Sequence, residues 1–238
     1  MSKFRIYNGF GITPTKSYNA AGWDFYIPAI SDVTDTVLEN RIREAIKKSY
    51  KKTNKQLDTI IERFANEMQL RDMDEEFEKW KYSILLLFFG IDGAIMRSSQ
   101  NKVATFISYY LIWEDETGRP GIAMHCNDHL FINSGIKVAL DHNTVGLFDN
   151  KSGRGMKGID VRAKVVDEDY SGYVHLNVAY TKDNFEDGLL YAGDKLIQML
   201  ILPLIQKESC EEMSEDDYDE LMKDSARGSD GFGSTDKK

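Results

Sequence analysis

Val165-Val166-Asp167-Glu168-Asp169-Tyr170-Ser171-Gly172-Tyr173-Val174-His175-Leu176-Asn177-Val178 reads as two β-prone arms joined by an acidic turn that ends on glycine. Carboxylates and an aromatic ring therefore sit at a hairpin tip. The pattern repeats outward from this point. Short β-like segments at 130–139, 144–149, 160–166, 172–180, 188–192 and 195–202 are separated by turn-prone residues. Such spacing predicts an antiparallel sandwich or barrel, with no internal repeat.

Upstream the texture changes. Residues 1–32 read as short strands and turns, with Phe25-Tyr26-Ile27 ending at Pro28. Thr36 and Glu39 have capping-box spacing. Val37, Leu38, Ile42, Ala45, Ile46 and Tyr50 then follow at helical intervals. A second face uses Leu57, Ile60, Ile61, Phe64, Ala65 and Met68, and a third starts near Asp74 with Phe77, Trp80, Ile84 and Phe88. Val103 to Trp113, followed by the turn-prone 115–121, reads as a β-hairpin, with a helix over 103–113 as the alternative. Lys47, Lys48, Lys51, Lys52 and Lys55 are expected to form a solvated face rather than a phosphate site.

The chain has 238 residues, 42% hydrophobic and 29% charged, which fits a globular protein with a full core. The longest apolar run, Ile84 to Phe89, is far too short to span a bilayer. Met1-Ser2-Lys3-Phe4-Arg5 shows no apolar signal region, so a cytoplasmic location is expected. Two distant cysteines, Cys126 and Cys210, argue against a disulfide scaffold or structural zinc. His125 and His129 are four apart but fall where loop runs into strand, so they read as ordinary polar positions. The net charge of -9 is local: Glu208 to Asp224 holds nine acids against Lys223, leaving the remainder near neutral. The acidic run reads as solvated surface, and no basic stripe supports stable nucleic-acid binding.

Four segments offer chemistry. Ala21-Gly22-Trp23-Asp24 sets a glycine near an aspartate at a strand start. Ser152-Gly153-Arg154-Gly155 has the parts of an anion nest but not the Gly-Lys-Ser/Thr of a P-loop. Asp167 to Gly172 is the hairpin tip. Arg227 to Thr235 is a glycine-rich arm in which Phe232, the large apolar residue, is suited to stacking on a base.

In order and sequence, these segments resemble the motifs of the trimeric dUTPase family, of phage-like or bacterial type. Ala21-Gly22-Trp23-Asp24-Phe25 is similar to Ala-Gly-Tyr-Asp-Leu, and Asn133-Ser134-Gly135-Ile136-Lys137-Val138 to Pro-Thr-Gly-Ile-x-Val. Lys151-Ser152-Gly153 stands where the family has Arg-Ser-Ser or Arg-Ser-Gly. Val166 to Gly172 resembles Ile-Asp-Ser-Asp-Tyr-Arg-Gly, and Gly193-Asp194-Lys195-Leu196-Ile197-Gln198-Met199 resembles Gly-Asp-Arg-Ile-Ala-Gln-Leu. Arg227 to Thr235 is close to Arg-Gly-x-Gly-Gly-Phe-Gly-Ser-Thr. The resemblance covers 1–32 and 125–238.

It implies a mainly β, jelly-roll or distorted-barrel core made of 1–32 and 125–238, with 225–238 as a flexible closing arm. A mostly helical insertion, 33–124, ends in the β-hairpin. It further implies a homotrimer with active sites shared between subunits, hydrolysing dUTP to dUMP and pyrophosphate with Mg²⁺, in the host cytoplasm if viral. Carried over by position, Asp167 activates the attacking water, and Tyr170 packs on the deoxyribose. Ser152, Gly153 and Gln198 hold phosphate oxygens. Asp24 positions a Mg²⁺-bound water, Phe232 stacks on uracil, and Arg227, Gly233, Ser234 and Thr235 complete the nucleotide clamp.

Some features depart from the pattern. Lys151 replaces an arginine, keeping charge but losing the fork. The segment before Asp167 is about two residues short, and Val161-Arg162-Ala163-Lys164 stands where the family has a uracil-reading asparagine. Related dCTP deaminases carry a glutamate ten residues after the motif aspartate; here Asn177 occupies that place. The alternatives are a related deoxynucleoside triphosphate hydrolase or deaminase with altered base selectivity, and a regulatory protein that binds a protein partner through the insertion. Glu75 and Glu78 have the spacing of a helical Mg²⁺ pair, but a solvated helix face is the expected role.

Overall fold

The computed structural model describes residues 4–31, 33, 35–69, 74–91, 109–112, 115–204 and 212–224. In chain order the elements are β1 (Arg5–Asn8), β2 (Trp23–Tyr26), α1 (Thr36–Tyr50), α2 (Asn54–Gln69), α3 (Asp74–Gly90), β3 (Leu111–Ile112) and β4 (Gly121–Ala123). They continue as β5 (His129–Asn133), β6 (Ile136–Ala139), β7 (Thr144–Asn150), α4 (Ser152–Met156), β8 (Ile159–Val161) and β9 (Val165–Val166). The last are β10 (His175–Tyr180), β11 (Leu189–Tyr191), β12 (Lys195–Pro203) and α5 (Glu215–Met222). Among the described residues the strands form four antiparallel sheets, ordered β1-β6, β5-β10-β8, β11-β4-β3 and β2-β12-β7-β9. The chain therefore combines several antiparallel sheets, which its spacing predicts, with a helical region before the larger of them.

The helices are not a detached ornament. Ile84 to Phe89 are all buried, so the C-terminal half of α3 is covered on every side, while Glu75, Glu78 and Lys79 keep the N-terminal half in contact with solvent. Phe64 of α2 packs against Phe77 and Phe88 of α3, and one continuous cluster joins these residues to Leu130, Ile132 and Leu176 of the sheets. Buried Ser83 of α3 accepts a 2.7 Å hydrogen bond from the Ile30 amide. Tyr50 closes the end of α1 against β5. Its hydroxyl donates to the Phe131 carbonyl at 2.8 Å and accepts from the Asn133 amide at 3.3 Å. Burial pushes the Tyr50 phenol well above its usual range, so it stays neutral.

Two local expectations need correction. The cap of α1 is Asp35, whose carboxylate accepts from the Val37 amide at 2.8 Å, not Thr36. Glu39, the expected box partner, is drawn instead to Arg43 at 2.8 Å and the Tyr82 hydroxyl at 2.7 Å. The reciprocal box lies at α2: Gln56 accepts from the Thr53 amide at 3.0 Å and Thr53 Oγ1 from the Gln56 amide at 3.3 Å. The second concerns Ser152 to Gly155, read as having the parts of an anion nest, which lie in a short helical turn, Ser152–Met156. Part of the expected hairpin is present, with Leu111 opposite Ile122 and Asp115 accepting from Thr117 and Arg119 in the turn; 103–108, 113 and 114 lie outside the described residues.

Residues 205–238 form a separate unit. Its described helix, α5, is capped by Ser214 and keeps Glu215, Asp216 and Asp217 in the first turn, where the helix dipole favours anions. Residues 212–224 are exposed throughout.

Candidate active site

The sheet β2-β12-β7 gathers the first group of candidate residues. Asp24 lies opposite Gln198, which lies opposite Asp149. Gln198 Nε2 donates to the Asn150 carbonyl at 2.8 Å. Gly22 makes room for it: a Cβ there would stand 3.0 Å from Gln198 Oε1 and 3.2 Å from the Met199 carbonyl. Lys151 leaves β7 and pairs with Asp24 Oδ1, while Lys195 reaches Oδ2 at 3.0 Å. Burial by itself would raise the Asp24 pKa. The two ammonium groups outweigh it and hold the carboxyl below its ordinary value. Ser152 and Gly153 follow at the exposed start of α4.

Beside this group, Arg154 donates to Asp194 at 2.7 Å and to the Lys195 carbonyl at 3.2 Å. Arg119 reaches Asp194 from the opposite side at 3.2 Å and is itself held by Asp115 at 2.6 Å. These contacts pin the Gly193-Asp194 turn, where Gly193 has φ 88. Sequence reading missed Arg119, Arg154 and Lys195 as site residues. Two of them carried a signal: Arg154 lies within the Ser152–Gly155 segment and Lys195 within the Gly193–Met199 motif.

The hairpin between β9 and β10 carries the second group. The Tyr170 amide donates to the Asp167 carbonyl at 3.2 Å to close the turn. Glu168 moors it from outside, accepting from the Asn143 amide at 2.6 Å and lying 2.9 Å from His142 Nδ1. The Asn143 amide, then His142, lower the Glu168 pKa. Tyr170 folds back so that its hydroxyl donates to the Tyr173 carbonyl at 2.8 Å. A Cβ on Gly172 would come within 2.5 Å of that hydroxyl, so only glycine leaves the ring in place.

Under the hairpin is a cavity of about 200 Å³, with Phe131, Phe148, Val166 and Val174 as apolar walls and Asp167, Tyr170, His175 and Asn177 as polar ones. The Asp167 side chain is exposed at its rim, and no described residue pairs with it. His175 stacks on Phe131 at 4.3 Å and 2°, with Nε2 3.0 Å from Ser49 Oγ. Burial, opposed only in part by a backbone hydrogen bond at Tyr173, pulls its pKa from 6.5 down to about 4.

One chain does not bring the two groups together. β9 joins β7 at Gly146 and Leu147, while Asp24 and Gln198 align with Asp149 near the other end of β7. None of Asp24, Lys151, Ser152 or Gln198 lines the cavity at Asp167. Arg227, Phe232, Gly233, Ser234 and Thr235 lie outside the described residues.

The chain thus carries a carboxylate-tipped hairpin and a corner where two lysines converge on Asp24 within its antiparallel sheets. The dUTPase family signature matches residues 95–236, more than half of the chain, and the chain belongs to that family. It is 30% identical over 105 residues to the deoxyuridine 5′-triphosphate nucleotidohydrolase of Paramecium bursaria Chlorella virus 1, covering 44% of this chain and 68% of the relative. To the mouse (Mus musculus) protein of the same name it is 34% identical over 110 residues, or 44% and 60%. The chain thus spans about two thirds of the relatives' length. A solved dUTPase from phage phi11 of S. aureus aligns with TM-score 0.35 and 18% identity over 40% of this chain and 78% of that one.

Proposed function

We propose that this protein hydrolyses dUTP to dUMP and pyrophosphate as a homotrimer whose sites are shared between subunits. The observation that carries the reading is Asp167: a carboxylate unpaired among the described residues, at the rim of a base-sized cavity and beside a tyrosine locked by Gly172. Family membership supports the substrate. The separation of the Asp24 and Asp167 groups within one chain supports the sharing, because a neighbouring copy can supply what each lacks.

In this reading the compact core is built from 1–32 and 125–238, with 33–124 as the helical insertion. Asp167 accepts a proton from the water that attacks the α-phosphorus, and the bond from that phosphorus to the bridging oxygen breaks to release pyrophosphate. Tyr170 presents its ring to the sugar. Lys151, Lys195 and the Ser152-Gly153 turn hold phosphate oxygens with Gln198, and the arm residues Arg227, Phe232, Gly233, Ser234 and Thr235 cover the nucleotide.

The residues fit Mg²⁺ in a limited way. Asp24 is already bridged by two lysines, and no group of three His, Cys, Asp or Glu suited to a metal occurs among the described residues. That suits an ion held chiefly by substrate phosphates and water, with Asp24 accepting from a metal-bound water. When bound, the ion neutralises charge on the phosphate oxygens.

The alternative, a regulatory protein acting through the helices, is less well supported, because α1 and α3 are built into the core through Tyr50, Ser49 and Ser83. Incubation with dUTP, dCTP, dTTP and UTP and Mg²⁺ should release pyrophosphate fastest from dUTP. Release from none of them overturns the proposal.

A further inference from the structure

The sequence has no asparagine at the place where the family reads uracil, yet the cavity beside Asp167 does contain an amide. β10 alternates, and its register with β5 and β8 sets His175 and Asn177 on one face while Leu176 and Val178 face the core. Both His175 and Asn177 reach the 200 Å³ cavity.

The polar side chains there can be sorted by what they have already spent. The Tyr170 hydroxyl is committed to the Tyr173 carbonyl. His175 is neutral, with Nε2 facing Ser49 and a further hydrogen bond to the Tyr173 backbone. Ser49 Oγ accepts from Asn133 Nδ2 at 2.9 Å, so its own proton is directed at the imidazole. Two groups remain unspent among the described residues: the Asp167 carboxylate and the Asn177 amide. The Asn177 backbone is fixed, since its carbonyl accepts from the Arg162 amide at 2.8 Å. At the neighbouring Ala163, φ is 48, a left-handed turn that places only a methyl beside the cavity.

A carboxylate can only accept, whereas an amide donates and accepts side by side. The pyrimidine edge of uracil offers N3–H beside a carbonyl, the complement of an amide. The same two-point pairing lets Asn and Gln read base edges elsewhere. An amide on the cavity wall with no protein partner among the described residues favours a ligand that offers it both a donor and an acceptor.

We propose that Asn177 is the residue that reads the hydrogen-bonding edge of the base, with Oδ1 accepting from N3–H and Nδ2 donating to the adjacent carbonyl. This rests on the dUTP reading above and assigns to β10 the role that the shortened segment before Asp167 has lost.

The test uses the full-length protein with dUTP and N3-methyl-dUTP, in which the N3 proton is replaced. Wild-type protein should prefer dUTP by tenfold or more in kcat/KM. Asn177→Ala should lose roughly tenfold to a hundredfold on dUTP, and its preference over the methylated analogue should fall to near unity. Asn177→Asp, close to isosteric and lacking the donor, should also lose at least tenfold on dUTP, which keeps the test open if the alanine variant folds poorly by thermal melting. Folded variants that keep wild-type kcat/KM on dUTP, or Asn177→Ala that keeps the full preference against N3-methyl-dUTP, overturn the assignment. Wild-type protein inert towards every triphosphate overturns the parent reading instead, and this assignment with it.

Discussion

The two halves of the candidate site differ in how much of their polar capacity is already used. Around Asp24 nearly everything is spent: both carboxylate oxygens are ion-paired, Gln198 is bonded to Asn150, and two arginines grip Asp194. At the hairpin the walls are fixed, but Asp167 and Asn177 face the cavity without partners among the described residues. The first arrangement suits a preformed cradle for a charge whose position does not change. The second suits groups that must exchange partners during a reaction. A site divided in this way separates holding from reacting, and each half can be broken by itself.

The largest effect is expected at the reacting half. Asp167→Asn keeps size and loses the base. Turnover should drop by about a thousandfold or more, while dUTP binding by titration changes only a few-fold. Near-normal turnover would place the base elsewhere and erase the contrast.

Next comes the wall behind it. His175 is neutral in the fold, with a pKa of about 4 against 6.5 when unfolded. Below 6.5 the unfolded chain binds the proton first, so stability is complete above pH 6.5 and declines as pH falls towards 4. The full difference is roughly 3 kcal/mol. Urea midpoints at pH 7, 5.5 and 4.5 should show the fall, and His175→Gln should flatten it. An unchanged slope in that variant would mean that other groups carry the acid sensitivity.

The smallest effect concerns the holding half. Lys151→Ala leaves Asp24 with Lys195 alone, so its carboxyl should titrate closer to the ordinary range and stability should fall by about 1 kcal/mol. Substrate KM should rise more than kcat falls. A kcat loss as deep as that of Asp167→Asn would show that the halves do not divide the work as described.

Local patterns were the legible part. Helices α1 to α3 follow from apolar spacing, and the strands from 129 onward follow from alternation between turns, because both signals lie within a few residues of each other. The first cap was misplaced by one residue since Asp35 and Thr36 are both good acceptors, and the choice was settled by Tyr82, which draws Glu39 away. Contacts over long separations were not legible. Arg119 meets Asp194 across 75 positions, and Tyr50 meets the Phe131 carbonyl across 81. Asn177 was visible as a residue, but its freedom was not: an unspent amide is defined by neighbours that only the fold brings near.

Tyr50 has a consequence beyond packing. β5 is the outer strand of its sheet, and the carbonyl of Phe131 and amide of Asn133 are the kind of groups that recruit a stray strand from another molecule. A single phenol occupies both, as donor to one and acceptor from the other. Tyr50 thus keeps both groups from pairing with an incoming strand. Removing only that hydroxyl, by Tyr50→Phe, would free both groups, and precipitation on warming would be the sign of it.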